Sequence, residues 1–143
     1  MKKFLKMDAR VELLSCMARI LEADERVRFA YLYGSAVEEE SDETANDIDI
    51  ALYAADGVNP YELSADLKIA FQQASGLAPD VFDIRIINDI VEKGDLFGLL
   101  YLRQVLQRNF VIVDKDEHVR TDFIESFSLK YRECEGLIDE VLA

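Results

Sequence analysis

Two aspartates separated by one residue are the first feature of the sequence that could do chemistry. Asp47 and Asp49 open a segment, 47–53, in which polar and apolar residues alternate before the pattern becomes fully apolar. On a β-strand, residues i and i+2 point to the same face, about 6.6 Å apart at a rise of about 3.3 Å per residue. Two carboxylates placed in this way repel each other unless they hold cations, and such oxygen ligands suit Mg²⁺. The pair therefore predicts a magnesium site at the start of a strand.

A third carboxylate, Asp83, interrupts the apolar segment 81–87, which has the composition of a strand. An ionised acid in a buried run is costly unless it is paired or binds a metal. Together with Asp47 and Asp49 it would complete a two-ion site, with metals about 3.5–4 Å apart. The alternative is an ion pair with Arg85, its neighbour on the same face of the strand. The burial cost favours the metal site.

A glycine and a serine follow the aromatic and branched segment 27–33, which is typical of a strand. Gly34 lets the backbone approach a ligand closely, and Ser35 adds a hydroxyl to the amide groups of the turn. Amide groups and hydroxyls at the start of a helix commonly bind phosphate. A phosphate-binding turn beside carboxylate-held metals favours in-line transfer at a nucleoside triphosphate.

These motifs in this order carry a resemblance to a known family. The segment 29–53, with Gly34-Ser35, eleven intervening residues and Asp47-x-Asp49, resembles the signature of the DNA polymerase β-like nucleotidyltransferase superfamily. The short chain, the acid within the segment 81–88 and a terminal helix make it similar to the minimal nucleotidyltransferases (MNT). That family includes the antitoxins of type VII HEPN/MNT toxin–antitoxin pairs.

The resemblance implies roles for individual residues. Gly34 and Ser35 match the residues that bind the triphosphate of ATP, and Asp47 and Asp49 match the ligands of Mg²⁺. Asp83 matches the third carboxylate, which assists the metals and activates the attacking hydroxyl. The activity implied is transfer of AMP from ATP to a tyrosine hydroxyl of a HEPN ribonuclease toxin, which silences that toxin.

Helices and strands alternate around these residues. Apolar residues at steps of three and four predict amphipathic helices, and Asn59-Pro60 and Gly76 are a start and a stop signal for one of them. We expect an α/β domain with a small mixed sheet flanked by helices, with a catalytic core at about 7–113 and a long C-terminal helix at about 116–142. The predicted helices are 7–23, 60–75, 95–107 and 116–142, and the predicted strands are 27–33, 47–53, 81–87 and 110–113.

Composition limits the possible partners and compartment. The 143 residues carry 16 Lys and Arg against 29 Asp and Glu, so the net charge is −13, which disfavours direct binding to nucleic acid. The sequence shows neither an apolar run long enough for a membrane helix nor a signal peptide. We therefore expect a cytoplasmic protein with Cys16 and Cys134 reduced and with His118 at the surface.

Two other functions are compatible with the same sequence. A non-catalytic antitoxin could neutralise its toxin by binding through the acidic surface, to which the run 38–43 contributes. A nucleotidyltransferase acting on a cationic small molecule, such as an aminoglycoside, would also favour an acidic surface. Retention of Asp47, Asp49 and Asp83 favours an active enzyme over a purely binding protein.

Overall fold

The computed structural model describes residues 7–34 and 47–143. In this part of the chain four β-strands and five α-helices alternate, and a 3₁₀ turn at Pro79–Val81 precedes the third strand. The predicted fold class and order of elements are confirmed; the 3₁₀ turn and the one-turn helix α3 are additional. The elements are α1 (Met7–Ala23), β1 (Val27–Tyr33), β2 (Ile48–Ala54), α2 (Pro60–Ser75), β3 (Phe82–Ile86), α3 (Ile90–Lys93), α4 (Leu96–Gln107), β4 (Asn109–Asp114) and α5 (Glu117–Leu142).

Helix α2 begins and ends at the residues that the sequence predicts. The side chain of Asn59 accepts hydrogen bonds from the backbone amides of Tyr61 and Glu62, at 2.9 and 3.1 Å, and Pro60 occupies the first turn. Gly76 takes the left-handed conformation (φ 78°), and its amide donates to the carbonyl of Gln72. These caps satisfy backbone groups that a helix leaves unpaired at its ends, so both boundaries are set locally.

The four strands form one mixed sheet in the order β3-β2-β1-β4. Strand β1 is antiparallel to both β2 and β4, whereas β2 and β3 are parallel. Helices α1 and α2 cover one face through a buried cluster that includes Met17, Leu21, Leu67 and Phe71. Helices α3, α4 and α5 cover the other face through a second cluster.

The structure also locates the two cysteines and the histidine. Cys16 and Cys134 are free thiols, and His118 lies on the surface with Nε2 3.3 Å from a carboxylate oxygen of Asp122. Within the described ranges 7–34 and 47–143, no helix has the length and apolar character needed to cross a bilayer.

Candidate active site

Strand pairing brings Asp49 and Asp83 side by side. Asp49 of β2 is the register partner of Asp83 on β3 and of Tyr33 on β1. Residues directly opposite each other on neighbouring strands point to the same face of a sheet. Tyr33, Asp49 and Asp83 therefore form a row across three strands, which we call the carboxylate row. It lies at the edge of the sheet where β1 ends and β2 and β3 begin.

Burial and repulsion between acids determine the electrostatics of the row. Burial, then the neighbouring charges of Asp83 and Asp47 and a hydrogen bond shared with Asp83, raise the pKa of Asp49 to about 6. A carboxyl group with an ordinary pKa near 4 is fully ionised at neutral pH, but here ionisation is opposed by the second acid. The row therefore favours a positive ligand in front of Asp49.

Gly34 closes the row from the end of β1. Its φ of +72° is a left-handed conformation, which L side chains rarely adopt. A Cβ atom at this position would lie 2.5 Å from Oδ2 of Asp49, closer than real Cβ atoms approach other atoms. Two independent constraints therefore require glycine at this position: the left-handed backbone conformation and the close approach of the backbone to the Asp49 carboxylate. This supports the assignment of Gly34 to the site.

Asp47 departs from the arrangement expected from the sequence. Strand β2 begins at Ile48, so Asp47 precedes it and is exposed. It influences the charge of Asp49 from a distance. In the ranges 7–34 and 47–143, no three His, Cys, Asp or Glu side chains converge as a metal centre. The structure therefore brings together two of the three predicted carboxylates as a pair, with Asp47 at longer range.

The prediction that Asp83 lies in a buried strand was wrong. Strand β3 is an outer strand of the sheet, and the Asp83 side chain is exposed. The carboxylate is therefore hydrated from one side, and its position beside Asp49 is what associates it with the site. The alternative pairing with Arg85 does not occur either, because no ion pair joins these two described residues. The guanidinium of Arg85 stacks on Tyr101, with Cζ 4.0 Å from the ring centroid.

A second tyrosine, Tyr101, packs against the tyrosine of the carboxylate row. The Tyr101 hydroxyl of α4 donates to the Tyr33 hydroxyl at 2.8 Å, and the two rings meet edge to face with centroids 5.6 Å apart. Burial raises the pKa of Tyr33 and Tyr101, so both remain protonated at neutral pH. Tyr33 precedes Gly34 directly, which is the one sequence signal that could have identified it; Tyr101 has no such signal.

Ser35, the second predicted phosphate-binding residue, lies outside the described residues. So does the acidic run 38–43.

The residues present are chemically suited to Mg²⁺. Asp49 and Asp83 provide adjacent carboxylate oxygens, the ligand type that Mg²⁺ prefers, and Asp47 provides a further carboxylate at longer range. Burial and the charges of Asp83 and Asp47 raise the pKa of Asp49, and a divalent cation bound between the acids would relieve that repulsion.

Comparison with known proteins identifies the class to which this fold and site belong. The family described as Polymerase beta, Nucleotidyltransferase matches residues 17–118, which include β1, β2, β3 and the whole carboxylate row. The chain belongs to this family and is a nucleotidyltransferase.

Solved structures with a similar fold come from toxin–antitoxin complexes. A chain of a toxin–antitoxin crystal structure with AMP-PNP is 18% identical, with a TM-score of 0.56 over 95% of this chain and 98% of that one. A chain of a complex between a tri-AMPylated Shewanella oneidensis HEPN toxin and its MNT antitoxin is 16% identical, with a TM-score of 0.53 over 100% of both chains. A chain of an MntA–HepT toxin–antitoxin structure is 16% identical, with a TM-score of 0.52 over 96% of this chain and 100% of that one. The curated proteins gave no significant match.

Proposed function

We propose that this chain is an ATP-dependent protein adenylyltransferase that acts as the antitoxin of a HEPN/MNT pair, by transferring AMP to a tyrosine hydroxyl of its ribonuclease partner. The observation that carries the proposal is the pairing of Asp49 with Asp83 beside Gly34, within a nucleotidyltransferase domain. Support for the partner comes from the solved complexes that share the fold, one of which contains an AMPylated HEPN toxin.

Each residue of the site has a defined task in this reaction. Gly34, with Ser35 beside it in sequence, holds the triphosphate through backbone amides, and its lack of a side chain lets this turn lie directly against Asp49. The acceptor hydroxyl attacks the α-phosphorus, the bond from that phosphorus to the β-phosphate oxygen breaks, and pyrophosphate leaves. Asp83 receives the proton of the hydroxyl. Asp49, Asp83 and Asp47 would hold Mg²⁺, which would supply positive charge to neutralise the phosphates.

Charge supports a protein partner and argues against RNA as a direct ligand. A net charge of −13 repels phosphate backbones but attracts a basic RNA-binding surface on a ribonuclease. The proposal therefore has the chain contact the toxin and not the toxin's RNA substrate. A cytoplasmic location forms part of the same proposal, because both ATP and reduced thiols belong to that compartment.

Intact-mass spectrometry tests the proposal. The purified chain is mixed with ATP, Mg²⁺ and the HEPN-type protein encoded beside it, and a double variant, Asp47→Ala with Asp49→Ala, is tested in parallel. We expect the partner to gain the mass of one or more AMP groups with the wild-type chain and none with the double variant. Asp66→Ala is the control and should transfer normally, because Asp66 is an exposed acid of α2 that pairs with Arg26, just before the start of β1 and away from the carboxylate row. A partner that stays unmodified in a stable complex would contradict the proposal.

A non-catalytic antitoxin is the second candidate, and the net charge of −13 is the observation that favours it. In that case inhibition of the ribonuclease would need neither ATP nor the carboxylate row. It would weaken as salt screens the charges between the two surfaces. Ribonuclease assays with the double variant, at low and high ionic strength, separate the two candidates.

A further inference from the structure

A groove of about 600 Å³ runs along the outer edge of β3 from Ile84 past the end of the strand. The residues of the carboxylate row do not line it, but Arg85 in its floor follows Asp83 by two residues on the same strand. Helix α2 forms one wall, with Tyr61 and Ser64, and the segment from α3 to α4 forms the other, with Lys93 and Gly98. Arg85 and its neighbours in β3 form the floor. Because α2 covers one face of the sheet and α3 and α4 cover the other, the groove straddles the sheet edge.

The order of the strands gives the site a nucleotide side and an acceptor side. Gly34, which the proposed function places against the triphosphate, ends β1, whereas Asp83, which receives the acceptor's proton, lies on β3. Asp49 lies between them on β2. In this arrangement an acceptor hydroxyl reaches the row from the β3 side, where Arg85 of the groove lies two residues from Asp83.

Arg85 is the most informative residue of this groove. It is exposed, follows Asp83 by two residues on the same strand, and is held over the Tyr101 ring at 4.0 Å. Stacking on an aromatic ring fixes a guanidinium while leaving its N–H groups free to donate. Although the chain has 29 acidic residues, no carboxylate of the described residues lies within ion-pair distance of Arg85. Among the described residues Arg85 is thus a stacked guanidinium with no ion-pair partner, and such a group is suited to a carboxylate from another molecule.

We propose that this groove is the docking site of the acceptor polypeptide, which lies extended along the edge of β3 with a carboxylate bound to Arg85. The inference rests on the proposed function, since it concerns how the acceptor reaches the same site. The outer edge of β3 has no neighbouring strand in the described part of the sheet, and such an edge accepts an added strand by backbone hydrogen bonding. Lys93 also lines the groove, as do Asp89 and Asp95, and the Asp95 side chain accepts a hydrogen bond from the Gly98 amide as the cap of α4.

Steady-state kinetics test the role of Arg85. With the HEPN-type partner as acceptor, Arg85→Glu should raise the KM for the partner at least tenfold and leave the KM for ATP within twofold of wild type. Arg85→Lys should recover part of the loss, because it restores the charge without the planar fork. Arg19→Glu, an equal charge change on α1 against the opposite face of the sheet, is the control and should change neither KM. An unchanged partner KM in Arg85→Glu, or an equal rise in the KM for ATP, would overturn the inference.

Photocrosslinking tests the groove without depending on turnover. A benzoylphenylalanine at position 61 replaces a tyrosine that is 86% exposed in the wall of the groove. The same group at position 69 replaces an isoleucine that is 50% exposed on the same helix but outside the groove. We expect crosslinks to the partner from position 61 and not from position 69. The opposite pattern, or no crosslink from position 61 in a complex that forms, would contradict docking at this edge.

The two proposals fail in different ways. If the partner crosslinks at position 61 and Arg85→Glu weakens the complex, but no AMP is transferred, then the proposed function fails and the docking site stands. If AMP is transferred normally by Arg85→Glu, the function stands and the docking site fails. A partner that neither binds nor accepts AMP would overturn both.

Discussion

The acidic residues at the two ends of β1 have opposite electrostatic environments. At the beginning of the strand, Arg26 binds Asp24 at 2.8 Å and Asp66 at 2.9 Å, and the Lys115 ammonium donates to the Asp24 carbonyl at 2.7 Å. The hydrogen bond from Arg26 lowers the pKa of Asp24. At the other end of the strand, Asp49 faces Asp83, no ion pair joins Asp49 to a cation within residues 7–34 and 47–143, and its pKa is raised to about 6.

The contrast shows which acids serve the fold and which oppose it. The acids near Arg26 are satisfied by the chain itself, so they contribute to stability and need no ligand. The carboxylate row lowers the stability of the metal-free protein, and a structure keeps such an arrangement where the ligand removes the penalty. Removing an acid should therefore have opposite consequences at the two ends.

The largest expected effect is on transfer by Asp49→Asn. Loss of a ligand for the metal and of charge beside the phosphates should reduce the rate of AMP transfer about 1000-fold or more. The same change should raise the free energy of unfolding of the metal-free protein at pH 7, because it removes one of two negative charges that repel each other. Activity assays and urea unfolding in EDTA measure the two effects. Asp66→Asn, which removes an acid paired with Arg26, should leave transfer unchanged. An Asp49→Asn protein that is less stable than wild type would contradict the expected relief of repulsion.

Gly34→Ala should also impair transfer strongly. The added Cβ would meet Oδ2 of Asp49 at 2.5 Å, and the left-handed backbone adds a strain of about 1–2 kcal/mol. Gly57→Ala is a matched control, because its φ of +79° is similar but nothing lies within 4 Å of the new Cβ. Both variants should lose stability to urea, and only Gly34→Ala should lose nucleotide binding measured by calorimetry. Equal nucleotide affinity in the two variants would show that the approach to Asp49 has no importance.

Asp24→Asn should destabilise the protein by about 1–2 kcal/mol and leave transfer intact. The substitution removes charge-assisted hydrogen bonds from Arg26 to a side chain that is 17% exposed, and Arg26 keeps only Asp66. Unfolding in urea at pH 7 measures the loss, and the intact-mass assay measures transfer. Wild-type stability would indicate that this ion pair is worth no more than an exposed surface pair.

The stability differences between wild type and the Asp49→Asn and Asp24→Asn variants should also depend on pH in different ways, and we expect this effect to be small. Asp49 has a raised pKa in the folded state, so its ionisation penalty is complete above about pH 6 and disappears as the pH falls toward 4. The advantage of Asp49→Asn should therefore shrink over that window. Asp24 has a lowered pKa, so its contribution is present at neutral pH and is lost only as the pH falls below about 4. Unfolding curves from pH 4 to 8 should show the first difference changing while the second stays constant down to about pH 5.

Much of the fold could be predicted from local patterns. Helix α2 has its cap at Asn59 and its stop at Gly76, and strand β1 coincides with the apolar segment 27–33. The one-turn helix α3 escaped prediction because four residues are too few to show a helical period. Asp47 was placed in β2 although the strand begins one residue later, and strand boundaries are the least certain part of such a prediction.

The candidate site was predictable in its members but not in its geometry. The spacing of Gly34, Asp47, Asp49 and Asp83 pointed to one chemistry and to one family. Which acid lies beside which is decided by strand register, and register depends on pairing between segments that are distant in the chain. That pairing placed Asp83 next to Asp49 on an exposed outer strand, where the sequence had suggested a buried one.

The sequence by itself determined the class of this protein, because the motif residues, their order and the helix caps depend only on neighbours along the chain. The tertiary structure alone decided that Arg85 stacks on Tyr101, that Tyr101 donates to Tyr33, and that a groove follows the edge of β3. These contacts join α4 to β1 and β3, and side chains so far apart in sequence meet only when the helices pack on the sheet. Local sequence patterns determine where helices and strands begin and end. Contacts across the sheet form only when separate elements bury their apolar faces against each other.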